Sequence, residues 1–162
     1  MKSFQLQLLA LLCLLHSPLA IGSEDSLVNV LSSQIGQTEH PKGSNWGHPV
    51  QEYLEAAGIN RPAPWCAAFI EWGLQKIGRK GAGAYVPSWN QPSHRIDRPS
   101  IGSLGLVWFP QMKRYGHIFC VKRVTSSRSI ETIEGNSNAE GSREGYAVVS
   151  RVRPVSGQFV RW

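Results

Sequence analysis

The sequence predicts an α+β fold, with helices first and an antiparallel sheet after them. Three observations carry this. Apolar residues recur at helical spacing between residues 26 and 78. Alternation with period two takes over beyond residue 103. The turn-rich clusters "PQMKR", "TSSR" and "GNSNAEGSREG" then divide the second half into short segments.

The first residues stand apart from that pattern. Lys2 precedes the leucine-dense "LQLLALLCLL", and small residues follow in "HSPLAIGSEDS". A charged start, a short apolar core and a small-residue exit read as a signal peptide over residues 1–22, cleaved after Ala20, Gly22 or Ser23. The stretch is too short for a spanning helix. Cys13 follows Leu11 and Leu12 inside the apolar core, which does not fit a lipoprotein signal. The expectation is a secreted or periplasmic protein without a stable membrane anchor. Residues 23–162 then form one domain of about 140 residues, enough for one core.

Within that domain, "SLVNVLSSQIG" sets Leu27, Val30, Leu31 and Ile35 on one helical face ending near Gly36. "EHPKGSNWGHP" is a loop of turn formers. "PVQEYLEAAG" is a short helix, with Pro49 at its start and Gly58 at its end. "INRPAP" cannot be helical. "WCAAFIEWGLQKIG" is the best helix, with Cys66, Phe69, Ile70, Gly73, Leu74 and Ile77 along a broad apolar face closed by Gly78. A long loop spans "KGAGAYVPSWNQPSHRIDRPSIG". Five strands follow: "SLGLVWF", "YGHIFCVKRV", "RSIETIEG", "YAVVSRVR" and "GQFVRW".

The 162-residue chain has 17 Lys and Arg against 11 Asp and Glu. Removing the signal takes away Lys2 and no acid, so 16 minus 11 leaves +5. A basic exported protein is drawn to anionic polymers such as cell-wall material. No lysine or arginine run appears, and a nucleic-acid partner is not expected. Of the three cysteines, only Cys66 and Cys120 lie beyond the signal. In an exported protein two cysteines most often form a disulfide. A nucleophilic role for Cys66 has to compete with that.

Cys66 falls at the first turn of its helix, because Pro62 and Pro64 stop the helix from starting earlier. Unpaired N–H groups and the positive dipole end favour a thiolate there and offer donors to an oxyanion. A thiol nucleophile needs a base. His40, His48 and His94 lie in loop-like segments, whereas His117 lies in the strand "YGHIFCV". Alternation points His117, Phe119 and Val121 one way and Cys120 the other. Cys66 therefore meets His117 or bonds Cys120, but not both. The imidazole needs an orienting acceptor. An even hairpin loop in "KRVTSSRSI" would bring Glu134 or Asn136 of "SIETIEGNSN" to the His117 face.

"PWCAAFIEWGLQKIG", "GHIFCV" and "IEGNSN" together resemble the three signature blocks of CHAP domains, in the NlpC/P60 superfamily of papain-like peptidoglycan hydrolases. With the preceding helices the resemblance covers about residues 27–155. It implies a papain-like fold whose nucleophile, Cys66, sits at a helix N-terminus. It further implies His117 as base, Glu134 as its orienting residue, and Asn136 as a further polar member of the site. One departure is visible: such domains often carry Gly-Asp ahead of the strand before the histidine, where this chain has Gly102-Ser103 or Gly105-Leu106. The position is read as structural.

Other chemistries find no support in the sequence. Cys and His ligands at zinc spacing are absent, as are paired aspartates for calcium, since Asp25 and Asp97 lie far apart. "GRKGAG" lacks the strand and helix of a phosphate loop. No metal or cofactor is expected. Trp72 and Trp108 are assigned to the core. Trp46, Trp65 and Trp89, in loop or pre-helix positions, are candidates to line a groove for glycan or stem peptide.

The signal peptide and the resemblance together lead to the expectation of an exported cysteine hydrolase of peptidoglycan, acting as a monomer. Such an enzyme is either an N-acetylmuramoyl-L-alanine amidase or a stem-peptide endopeptidase, working through a thiolate acyl-enzyme. Two alternatives stand beside it. One is a non-catalytic wall-binding module held by a Cys66–Cys120 disulfide; the other is a cysteine hydrolase of a different substrate.

Overall fold

The computed structural model describes residues 23–140 and 145–162. The signal-peptide reading of residues 1–22 lies outside the described residues. Among the described residues, three α-helices precede a six-stranded sheet: α1 (Ser23–Ser32), α2 (Val50–Ala56), α3 (Cys66–Lys76), β1 (Arg95–Ile96), β2 (Leu104–Phe109), β3 (Arg114–Ser126), β4 (Ser129–Ser137), β5 (Ala147–Pro154) and β6 (Gln158–Val160). The sheet order is β1-β6-β2-β3-β4-β5, with every pair antiparallel. This is the α+β arrangement the pattern predicts.

Helix α3 is the pivot. Every residue from Cys66 to Leu74 is buried, Glu71 included. The helix packs on β3 and β4 on one side and on α1 and α2 on the others. Two glycines permit the close approaches. A Cβ on Gly73 would come within 2.5 Å of Leu31, and one on Gly135 within 2.8 Å of Phe69. Tyr53, Trp65, Phe69 and Trp72 form a tilted, edge-on and stacked cluster between α2 and α3. Such a cluster gains both from area burial and from ring geometry. Ile118, Cys120 and Ile133 continue this core onto the sheet. Phe119, Val121, Ile130 and Phe159 form a second, smaller core.

Several sequence expectations are corrected. α1 stops at Ser32, and Ile35 is exposed rather than part of its apolar face. Trp108 is also exposed and stacks edge-on with Tyr115 at the surface, so it is not core. The long loop contains β1, a two-residue strand paired with β6. It also holds two 3₁₀ turns, Val86–Trp89 and Pro92–His94, each with proline at its start. Proline presets the φ such turns need.

Ser103 belongs to one of the two pairs, Gly102-Ser103 and Gly105-Leu106, that stand in place of the Gly-Asp of the resembled family. Its hydroxyl donates to the Ser100 carbonyl at 2.7 Å and accepts the Ser100 N–H at 3.0 Å. This buried residue closes a turn ahead of β2.

Candidate active site

Cys66 is the first residue of α3. Two contacts fix where that helix begins. The Trp65 backbone N–H donates to Asn136 Oδ1 at 3.2 Å, and its indole Nε1 donates to buried Glu39 at 2.8 Å. Asn136, in left-handed conformation at φ 52°, donates in turn to Gly145 O at 2.8 Å and to Asn45 Oδ1 at 3.3 Å. Asparagine tolerates that conformation better than most side chains.

The Cys66 thiol interacts with the His117 imidazole and with the backbone N–H groups of Ile118 and Ala67. Burial opposes ionisation of this thiol, but the imidazole and the two N–H groups outweigh it and hold its pKa below the ordinary value. Burial likewise disfavours imidazolium at His117. Cys66 on one side and Glu134 on the other overcome this and raise its pKa to about 9. The two shifts favour a thiolate–imidazolium pair.

His117 Nε2 lies 3.0 Å from Glu134 Oε2, which leaves Nδ1 for the sulfur. The register makes this contact possible. Val121 pairs with Thr132 across the β3–β4 hairpin, so His117 and Glu134 share one face. Glu134 is fully buried. Burial alone would raise its pKa, but Arg153 and His117 hold it well below the carboxylate range. Arg153 Nη2 donates to Oε2 at 2.8 Å, while its Nε donates to Oε1. Thr132 Oγ1 adds a bond to Oε1 at 2.7 Å, and Ser137 Oγ adds one to Oε2 at 3.2 Å.

Cys66 and His117 open onto a cleft of about 1230 Å³. Its lining includes Lys42, Asn45, Tyr85, Met112, Arg114 and Tyr146. Lys42 Nζ sits 3.8 Å from the Tyr146 ring centroid, and the Arg114 guanidinium 5.7 Å from that of Tyr85. Among the described residues no cluster of His, Cys, Asp or Glu is arranged to hold a metal ion. None of their helices is long and apolar enough to cross a membrane.

The structure thus brings together Cys66, His117 and Glu134, with Asn136 at the cleft wall. Of the two candidates to contact the imidazole, it is Glu134 that does so; Asn136 holds the start of α3 instead. The Cys66–Cys120 disulfide is not formed, since both cysteines are free. Cys120 lies in the core, where burial pushes its thiol to about 12.

The groove tryptophans are corrected too. Trp65 and Trp89 are fully buried, the latter donating to Gly83 O at 2.9 Å. Trp46 is half-buried against the core and does not line the cleft. A buried N–H that reaches a protein acceptor removes the reason to seek substrate there.

Sequence reasoning missed Arg153, whose signal was parity. Arg151 and Arg153 alternate on the strand face that meets Ile130, Thr132 and Glu134. A buried acid on that face needs a counter-charge.

Fold and site define an α+β domain with a cysteine–histidine–glutamate array at the junction of one helix and the sheet. Residues 58–136 match the family model of the CHAP domain. The match contains Cys66, His117 and Glu134 and ends at Asn136. CHAP domains are generally hydrolases acting on peptidoglycan. No curated protein and no solved structure matches the chain.

Proposed function

We propose that residues 23–162 form an exported, monomeric cysteine hydrolase that cuts an amide bond in the peptide part of peptidoglycan. Two bonds come within that reading: the N-acetylmuramoyl–L-alanine amide and an amide within the stem. The observation that carries the proposal is the contact of the Cys66 thiol with His117, whose other nitrogen is held by buried Glu134. The domain match supplies the substrate class. A thiol at a helix start with its imidazole on a neighbouring sheet is also what a papain-like site requires.

The mechanism follows from the ionised pair. The Cys66 thiolate attacks the amide carbon and forms a carbon–sulfur bond. Negative charge moves to the carbonyl oxygen, where the Cys66 backbone N–H, free at the helix start, stabilises it. As the carbon–nitrogen bond breaks, His117 gives its Nδ1 proton to the departing amine. The now neutral imidazole takes a proton from water, whose oxygen attacks the thioester. Thiolate, imidazolium and a free carboxyl product are thereby regenerated. Glu134 accepts from Nε2–H throughout, fixing the tautomer and stabilising the imidazolium.

Digestion of purified sacculi, with mass analysis of the released fragments, tests this reading. New amino termini on alanine, with intact lactyl groups on the glycan, identify the amidase. New termini inside the stem identify the endopeptidase. Release by the Cys66→Ala variant at the wild-type rate overturns the proposal.

A further inference from the structure

Glu134 is the least accessible member of the site, and four side chains from three strands converge on it: His117 of β3, Thr132 and Ser137 of β4, and Arg153 of β5. His117 and Arg153 are the charged groups among them. A carboxylate without water is expelled from its ionised form unless charge and donors compensate. Thr132 and Ser137 are neutral, and His117 changes its proton during catalysis, so neither kind supplies a constant charge. Arg153 does, because guanidinium stays protonated at all working pH values.

Its geometry is also constrained. The guanidinium forks across both carboxylate oxygens, and its carbon lies 5.3 Å from the centroid of the buried Phe119 ring. A planar fork resting on an aromatic face fixes orientation as well as charge. Arg153 reaches Glu134 from four residues along β5, since Val149 is the direct partner of Glu134 and Ile130 that of Arg153. The long side chain therefore runs beside the strand, back toward the site.

We propose that Arg153 is a positioning residue of the reaction: it keeps Glu134 ionised and aims Oε2 at His117 Nε2, extending the array Cys66–His117–Glu134 by a fourth member. The inference rests on the reading of Cys66 and His117 as the reacting pair. With Arg153 removed, Glu134 takes up a proton at a higher pH than in the wild type. The neutral acid then no longer supports the imidazolium. Thiolate at Cys66 becomes available only once Glu134 has lost that proton.

The test is the pH dependence of iodoacetamide alkylation at Cys66, located by peptide mass mapping, together with hydrolysis of sacculi. In Arg153→Met, which keeps the apolar stem over Phe119, the acid limb of Cys66 alkylation moves up by a pH unit or more. Hydrolysis at pH 6 falls at least tenfold. Arg153→Lys keeps the charge but not the fork; its acid limb stays in place and hydrolysis falls three- to tenfold. A folded Arg153→Met protein with the wild-type acid limb overturns the proposal, because a purely structural contact would alter melting and leave the limb unmoved. If Arg153→Met does not fold, Arg153→Lys decides: slowed hydrolysis supports the fork, and a wild-type rate overturns it. Failure of the hydrolase reading is seen separately, as a wild-type chain that alkylates with a depressed acid limb but leaves sacculi intact.

Discussion

Asn136 Oδ1 accepts the backbone N–H of Trp65 at 3.2 Å, so the end of β4 sets the position of the residue before the nucleophile. The same amide reaches Gly145 and Asn45. Asn136→Ala removes all of these bonds and places alanine at φ 52°. The expected loss is about 2–3 kcal/mol of stability, read as a lower melting temperature. Hydrolysis should also fall at least tenfold, because the sulfur moves with the helix start. An unchanged rate in a folded variant would count against this coupling.

The two cysteines should separate by function. Cys66→Ala abolishes hydrolysis while retaining the fold. Cys120→Ala keeps the active site and costs about 1–2 kcal/mol from a small core deletion. Activity and thermal melting of the two variants check this; an inactive but folded Cys120→Ala protein contradicts it.

Activity should trace a bell against pH. The Cys66 pKa is lowered, so thiolate is present above that depressed value and lost as pH falls through it. The His117 pKa is raised to about 9, so imidazolium is present below that value and lost as pH rises through it. The reacting pair therefore fills the window between the two, and kcat/KM should decline on the alkaline side near pH 9. A plateau extending well above pH 10 would refute the raised His117 value.

Glu134→Gln keeps the shape and removes the charge. His117 loses the partner that supports its imidazolium, and the rate should fall about 10²–10⁴-fold. Arg153 is left as a half-buried cation without its acid, at a cost of about 3 kcal/mol. The pH dependence of stability has a definite sign here. The Glu134 pKa is depressed in the folded state, so its contribution is complete above the unfolded value near 4.3 and disappears as pH falls. Acid unfolding of wild type and Glu134→Gln, compared side by side, should converge at low pH; parallel curves would refute this.

Trp65 and Tyr85 should trade places relative to the groove reading. Trp65→Phe leaves Glu39 without its 2.8 Å donor and lowers stability by about 1–3 kcal/mol. Tyr85→Ala, at an exposed cleft residue, should raise KM severalfold and leave melting unchanged. The reverse pattern would restore the tryptophan as a substrate contact.

Much of this architecture was legible because the signals are local. Pro62, Pro64 and the apolar run after Cys66 mark a helix start. Strand parity put His117 and Glu134 on one face and sent Cys120 to the other. What escaped depends on tertiary context. Two residues, Arg95 and Ile96, carry no period, so β1 could not be seen. Trp65, Trp89 and Trp108 were misplaced because an amphipathic ring next to a loop reads alike inside and outside. Only the position of Glu39, Gly83 or Tyr115 decides which it is. Arg153 was visible as one more basic residue; its task emerges only from β5 lying beside β4.

That adjacency bears on where the working unit ends. The recognisable signature closes at Asn136, whereas Gly145, Arg153 and the whole of β5 follow it. A fragment trimmed to the signature would keep the sulfur, the imidazole and the acid. It would strip β4 of its neighbouring strand and leave the acid without its permanent counter-ion. Any graft of this domain onto another scaffold must therefore carry the chain through β5 and on through Val160, since β6 lies between β1 and β2.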